Sequence, residues 1–370
     1  MAWVSHKTIL PVSILLVVAG CATVPLDDAR RNFYCGQLVT ADQTLSSLPE
    51  NADRILNLME RGMIRHVRQD YTNSTADWLE AVRREKQLET HSISKAGASM
   101  LVNDSLLNFR GYPYEQTYLH VYLARNYLAQ GLWEDAGVEA RSIALKMEKL
   151  EEFPDDPYCH YLAGFCLELC GDDSNSAMQF RQTAKLSPAL RIDRETGRFL
   201  PLSPSSNAPP RPGTVGTELV CFLDFDGYNG MMPEYAEIYA EGKLLGTSRT
   251  FVNTLSLETE SRERMKVRRT VKSVGRLAVK GAAVLAASSR NNDLAPLLLM
   301  LLFATETEDT RRWETLPAKF AVARVLCPET LREFQVEFKS FSGSLVKRLT
   351  VTHPLVRKNR IYVSMCRDHP

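Results

Sequence analysis

Two carboxylates close an apolar run. Leu219-Val-Cys-Phe-Leu223 leads into Asp224-Phe-Asp226-Gly227, the sharpest candidate in the chain for covalent or acid chemistry. A strand that ends in Asp-Gly is also an everyday hairpin. On that reading both side chains solvate a turn and satisfy local backbone donors, and this is what we expect. The second candidate is Cys159-His160 with Cys166 and Cys170, whose thiols share one helical face. Structural zinc sites set ligands two to four apart in a knuckle, with a second pair elsewhere. Three small thiols packing a helix fit the spacing better, so no metal is expected. A regular helical turn also holds Cys166 and Cys170 in poor geometry for a disulfide. His120, His160 and His353 are isolated, and no Ser-His-Asp or Cys-His pairing can be assembled. From Arg262 to Lys280 stand eight basic residues against Glu263 alone. They read as a solvated face opposite a valine stripe rather than a lipid-seeking helix.

The elements that must position these residues belong to a multidomain chain. At 370 residues it is too long for one ordinary domain. Its 44% hydrophobic and 24% charged content excludes disordered, collagen-like and multi-span membrane classes. Lys+Arg of 45 against Asp+Glu of 44 argues against nucleic acid as a partner. Eight cysteines are too dilute for a disulfide scaffold.

The N-terminus sets the expected compartment. One lysine, Lys7, precedes an apolar stretch from Ile9 to Val18, half of what a bilayer span needs. It runs into Val18-Ala19-Gly20-Cys21, which resembles the bacterial lipobox, where the Cys is acylated after cleavage. Ala22 rather than Asp follows, resembling an outer-membrane sorting signal. Residues 1–20 are thus expected to be a lipoprotein signal peptide, and 21–50 a lipidated tether with little pattern. Acyl chains such as palmitate contribute about 0.8 kcal/mol per buried methylene, so Cys21 would anchor the chain to the membrane.

Residues 51–190 read as helical, with internal self-similarity. One unit is His120, Leu123, Ala124, Tyr127, Gly131, Ala136, Ala140 and Ala144; a second is His160, Ala163, Gly164, Leu167, Gly171, Ala177, Ala184 and Pro188. A weaker copy holds Leu58, Gly62, Tyr71, Ser74, Trp78 and Ala81. The offsets resemble the tetratricopeptide repeat, with extra helix expected around 92–110. Residues 191–216, rich in proline, read as an extended linker and domain boundary. Residues 217–370 turn to short β-rich runs around a helical insert at about 262–304. Within that insert Val267, Val271, Val274, Ala278, Gly281 and Leu285 form one helical face, and 294–304 is an apolar run.

Two stretches together resemble a group of tetratricopeptide-containing envelope lipoproteins of diderm bacteria. The first is Tyr112-Pro113-Tyr114-Glu115 with Tyr122, Asn126-Tyr127-Leu128 and Gly131; the second is Asp309-Thr310-Arg311, Trp313 and Leu316-Pro317. The resemblance implies location and architecture rather than an activity. Separately, Asp224-x-Asp226-Gly resembles the first motif of haloacid-dehalogenase-like phosphotransferases, where the first Asp attacks phosphorus and the second is a general acid beside Mg²⁺. The remaining motifs of that group do not follow.

The fold class expected is therefore multidomain α and β: a tetratricopeptide-like helical array, then a β-rich, sandwich-like domain with a helical insert. The expected role is a protein-binding scaffold for envelope proteins, facing the periplasm from the outer membrane, without cofactor or catalysis. The phosphotransferase built on Asp224 and Asp226 is the alternative. Paired-helix arrays form a groove, and Tyr114, Tyr118, Tyr122, Asn126 and Arg141 are its exposed candidates.

Overall fold

The computed structural model describes residues 24–49, 53–94, 109–150, 153, 155–201, 216–227, 230–266, 310–352 and 355–369. Cys21 and its signal segment, residues 202–215, most of the insert (267–309), His353 and the stretch 95–108 lie outside them.

Three helix pairs stack where the repeats were expected. They are α3 (Arg54–Val67) with α4 (Tyr71–Ser94), α5 (Pro113–Gln130) with α6 (Trp133–Lys149), and α7 (Pro157–Cys170) with α8 (Asp173–Leu186). The close approach has a repeated cause. Gly62 lets Trp78 lie against α3, and Ser74 Oγ donates to the Gly62 carbonyl at 2.7 Å. One hundred and two residues on, Gly164 admits Phe180 and Ser176 Oγ donates to the Gly164 carbonyl at 2.9 Å. Ala124, Ala136 and Ala140, all buried, hold the same offsets in the middle pair. The turns within the last two pairs use left-handed glycines, Gly131 at φ 72° and Gly171 at φ 78°.

Two further helices precede the array: α1 (Val24–Tyr34) and α2 (Leu38–Ser46). This corrects the tether expected over 21–50. Leu26, Ala29 and Phe33, at helical spacing, are buried in the main core, as are Ala41 and Leu45. Dense charge around them (Asp27, Asp28, Arg30, Arg31) conceals the stripe in sequence.

The C-terminal half is two packed sheets. Strands are β1 (Thr217–Phe225), β2 (Tyr235–Ala240), β3 (Lys243–Thr247), β4 (Arg249–Asn253), β5 (Lys319–Cys327), β6 (Phe334–Lys339), β7 (Leu345–Val351), β8 (Val356–Lys358) and β9 (Ile361–Arg367). One sheet runs β4-β5-β1-β9-β8 and the other β3-β2-β6-β7. Among the described pairings only β1 with β9 is parallel. Between β4 and β5 the chain forms a helix at 254–266 before the insert.

Every residue of β1 is buried, because its sheet is covered on both faces. Leu219, Cys221, Leu223 and Phe225 enter the core between the sheets, with Ile238, Val336 and Phe338 opposite. Val220 and Phe222, with Phe320 and Val322 of β5, enter a core shared with the helices. The architecture is thus three layers, helices on a five-stranded sheet on a four-stranded sheet.

Residues 191–201 are not an extended tether. Ile192 bridges to Phe199, the Arg198 guanidinium pairs with Glu218 at 2.6 Å, and Phe199 stacks on Tyr161 at 5.9 Å between centroids. The start of the expected linker is a packed clamp from α8 onto β1.

Candidate functional site

Helices α5 and α7 turn polar groups toward the five-stranded sheet, and the seam is built from buried ion pairs. Arg125, on α5, meets Asp224, near the end of β1, in a two-point contact at 2.7 and 3.0 Å, each side chain 1% exposed. Tyr122 Oη donates to the second Asp224 oxygen at 3.2 Å. One layer over, Arg324 of β5 joins Glu168 of α7 at 2.7 Å and Glu218 of β1 at 2.8 Å. Such geometry is what a desolvated charge requires, since an unpaired ion here would be strongly unfavourable.

These contacts overturn the turn reading of the carboxylates. Asp224 is a buried partner of a helix. Asp226 lies just past β1 and is gripped by Arg367 at 2.5 and 3.0 Å. The Asp368 carboxylate accepts from the Asp226 and Gly227 amides at 2.7 and 3.0 Å, so it, rather than Asp226, satisfies the local backbone donors. Burial raises the Asp226 carboxyl to about 6 against the opposing pull of Arg367.

The expected groove residues are also placed differently. Tyr114, Tyr118, Tyr122 and Asn126 are buried, not exposed. The physical reason is that the chain's own sheet and the polypeptide around Trp313 cover the tyrosines, while α3 and α4 cover Asn126. Tyr118 Oη donates to Asp156 at 2.7 Å and its ring packs on Phe320 of β5 at 4.8 Å. Asn126 accepts from His66 Nδ1 at 2.6 Å and donates to Thr75 Oγ1 at 3.1 Å. Burial, then the nearby Arg125 charge, lowers His66 to about 3, so it is neutral. Arg141 alone of the five is exposed, 3.3 Å from Asp172 across to the start of α8.

Sequence reasoning missed Arg125 itself, although it singled out both flanking positions. The available signal was a lone guanidinium inside the apolar stretch Val121–Leu128, which demands a counter-charge elsewhere in the chain. The thiols sit as packing residues: Cys159 and Cys166 are buried, and Cys170 Sγ donates to the Trp133 carbonyl at 3.0 Å. Among the described residues no cluster of three or more His, Cys, Asp or Glu could hold a metal ion.

The three singled-out motifs converge at one place. Glu115 of the Tyr112–Glu115 stretch accepts from the Tyr112 amide at 2.6 Å and from the Trp313 amide, 198 residues away, at 2.5 Å. Burial pushes its carboxyl up to about 8, opposed by those two amides. Next to it, Glu60 of α3 binds Arg30 at 2.6 Å and accepts from the Glu314 amide at 3.0 Å. Arg367 also donates to the Thr315 carbonyl at 2.8 Å, linking this segment to Asp226. A cavity of about 290 Å³ opens here, with Tyr34, Tyr114, Asp226, Glu258, Arg312 and Trp313 among its walls.

Chemically, the seam holds charge still. Both Asp224 oxygens are engaged by Arg125 and Tyr122, so neither points at open space. The cavity differs, because part of its wall is polar and reachable.

No family model and no curated protein matches the chain. A solved structure titled MamA AMB-1 is similar at a TM-score of 0.30 and 12% identity, over 45% of this chain and 74% of that one. A likeness that slight carries no argument, and the description of the array rests on the helix pairs themselves.

Proposed function

We propose that the protein is an outer-membrane-anchored periplasmic lipoprotein that acts as a protein-binding scaffold or accessory factor in the cell envelope. The observation that carries the reading is the outward face of the helix pairs. Val138 on α6 and Met178 on α8 occupy equivalent repeat positions, fourteen residues after Ala124 and Gly164, and both are exposed. Leu145, also exposed, continues the row two turns along α6, with Arg141 between. Apolar side chains repeated on an outward face favour a protein partner there. Since the inner face is filled by the chain's own sheet, the partner belongs outside. The reading includes no catalysis, and the engagement of Asp224 by Arg125 supports that choice over the phosphotransferase.

The anchor is tested in cells by Cys21→Ser, which should abolish palmitate labelling and move the protein to the soluble periplasmic fraction. Retention on membranes in high salt would contradict it. The scaffold role is tested by crosslinking in intact cells. Val138→Glu with Met178→Glu should remove the crosslinked product while leaving the fold unchanged, and an unaltered crosslink pattern would contradict the outward surface.

A further inference from the structure

The cavity where the motifs meet has a polar group on its wall that no described side chain engages. Tyr114 is 2% exposed, its side chain lines the cavity, and its hydroxyl makes no hydrogen bond among the described residues. Burial, with Glu115 and Glu258 nearby, raises the phenol above its ordinary range, so the hydroxyl stays intact as donor and acceptor. On the cavity wall, that hydroxyl is left to bond a group that enters.

The lining is built from ion pairs whose carboxylates face the space. It carries Asp226, Glu258 and Glu314 against Arg312. The compensating guanidiniums reach these carboxylates from outside the lining: Arg367 to Asp226 at 2.5 Å, Arg30 to Glu314 at 3.4 Å and Arg262 to Glu258 at 2.7 Å. The rest of the wall is aliphatic side chains such as Leu255 and Leu316 together with the rings of Tyr34, Tyr114 and Trp313, and those rings suit a cation rather than an anion. At about 290 Å³ the space lies at the small end for ligand pockets, room for a side chain rather than a cofactor.

Arg312 shows what fits. Its guanidinium spans Glu258 at 3.2 Å and Glu314 at 3.6 Å, longer than the 2.5–3.0 Å contacts of the buried pairs. Its side chain is 44% exposed and that of Glu314 is 40% exposed, so the bridge is free to open. We infer that this cavity receives a lysine or arginine side chain of a partner polypeptide, with Arg312 as the internal stand-in. The incoming cation bridges Glu258 and Glu314 in place of Arg312 and donates to the Tyr114 oxygen. That the cation comes from a polypeptide rests on the scaffold reading; the chemistry of the cavity does not.

The test uses butylguanidinium as probe and butylurea, its neutral counterpart, titrated calorimetrically into the full chain in detergent. Butylguanidinium should bind and butylurea should not. Arg312→Ala should tighten butylguanidinium about fivefold, the scale of one half-exposed ion pair released. In that background Glu258→Gln should weaken it about tenfold, the scale of a lost charged hydrogen bond, and Tyr114→Phe by less. Glu314→Gln, at an exposed position that leaves folding intact, gives a second reading of the same loss. Equal binding of butylurea, or an Arg312→Ala variant that binds butylguanidinium no better than the parent chain, would overturn the inference. Because neither ligand needs a membrane or a partner, failure here is separate from failure of the crosslinking experiment.

Discussion

Asp224 and Asp226 are two residues apart on one chain and live in different kinds of place. At Asp224 the strand still runs between helix and sheet, so Arg125 and Tyr122 close over it, and the Arg125 and Asp224 side chains are each 1% exposed. At Asp226 the strand has ended, Arg367 holds the carboxylate from one side, and the other side borders a cavity. The contrast shows how one sequence motif divides its labour. Continuous cover turns a carboxylate into a structural bolt, whereas the end of an element leaves its neighbour a wall that a ligand can reach.

The largest effect should come from opening the closed side. Arg125→Ala leaves Asp224 charged and uncompensated in the core, at a cost of about 3–5 kcal/mol. Chemical denaturation monitored by circular dichroism should show it, while Arg312→Ala at the open side costs less than about 0.5 kcal/mol. Equal losses at the two sites would erase the distinction between them.

The helix pairs that frame the closed side depend on their small residues. A Cβ at Gly62 would lie 2.3 Å from Trp78 Nε1, and one at Gly164 2.9 Å from Phe180 Cε1. Gly62→Ala should therefore cost about 1–3 kcal/mol, with Gly164→Ala at the lower end. A Gly62→Ala protein as stable as the parent would mean that α3 and α4 do not approach as described.

A pH effect should follow from His66, held neutral beside Arg125. Its folded value, about 3, lies below its unfolded value of about 6.5. Between those values the unfolded chain binds the extra proton, so this contribution is full above pH 6.5 and is lost on acidification. Stability should fall more steeply in the parent than in His66→Gln, by up to about 1.4 kcal/mol per pH unit between pH 6 and 4. Parallel stability–pH curves would place His66 in water rather than in the seam.

Much of the frame was legible. Gly62 and Gly164 announce close helix packing because a Cβ there meets the facing ring, and the β-rich runs at 218–223 and 318–326 announce strands. The contents of the groove were not legible. Tyrosines and an asparagine on one helix suggest a wet surface, yet Tyr118 and Tyr122 each need one acceptor and find it in Asp156 and Asp224. A tyrosine is mostly apolar area with a single polar tip, so burial suits it once that tip is satisfied. Those acceptors lie 38 and 102 residues away, beyond the reach of any local pattern.

The account rests on the helical array being filled by the chain's own sheet. The most direct measurement is a double-mutant cycle between α5 and β1: Arg125→Leu, Asp224→Leu and the pair together, each unfolded by denaturant. The account predicts that the double variant recovers much of the stability lost in either single one, with a coupling energy of about 2–3 kcal/mol. Additive losses, with a coupling below about 0.5 kcal/mol, would mean that the two side chains do not meet and that the inner face of the array is open.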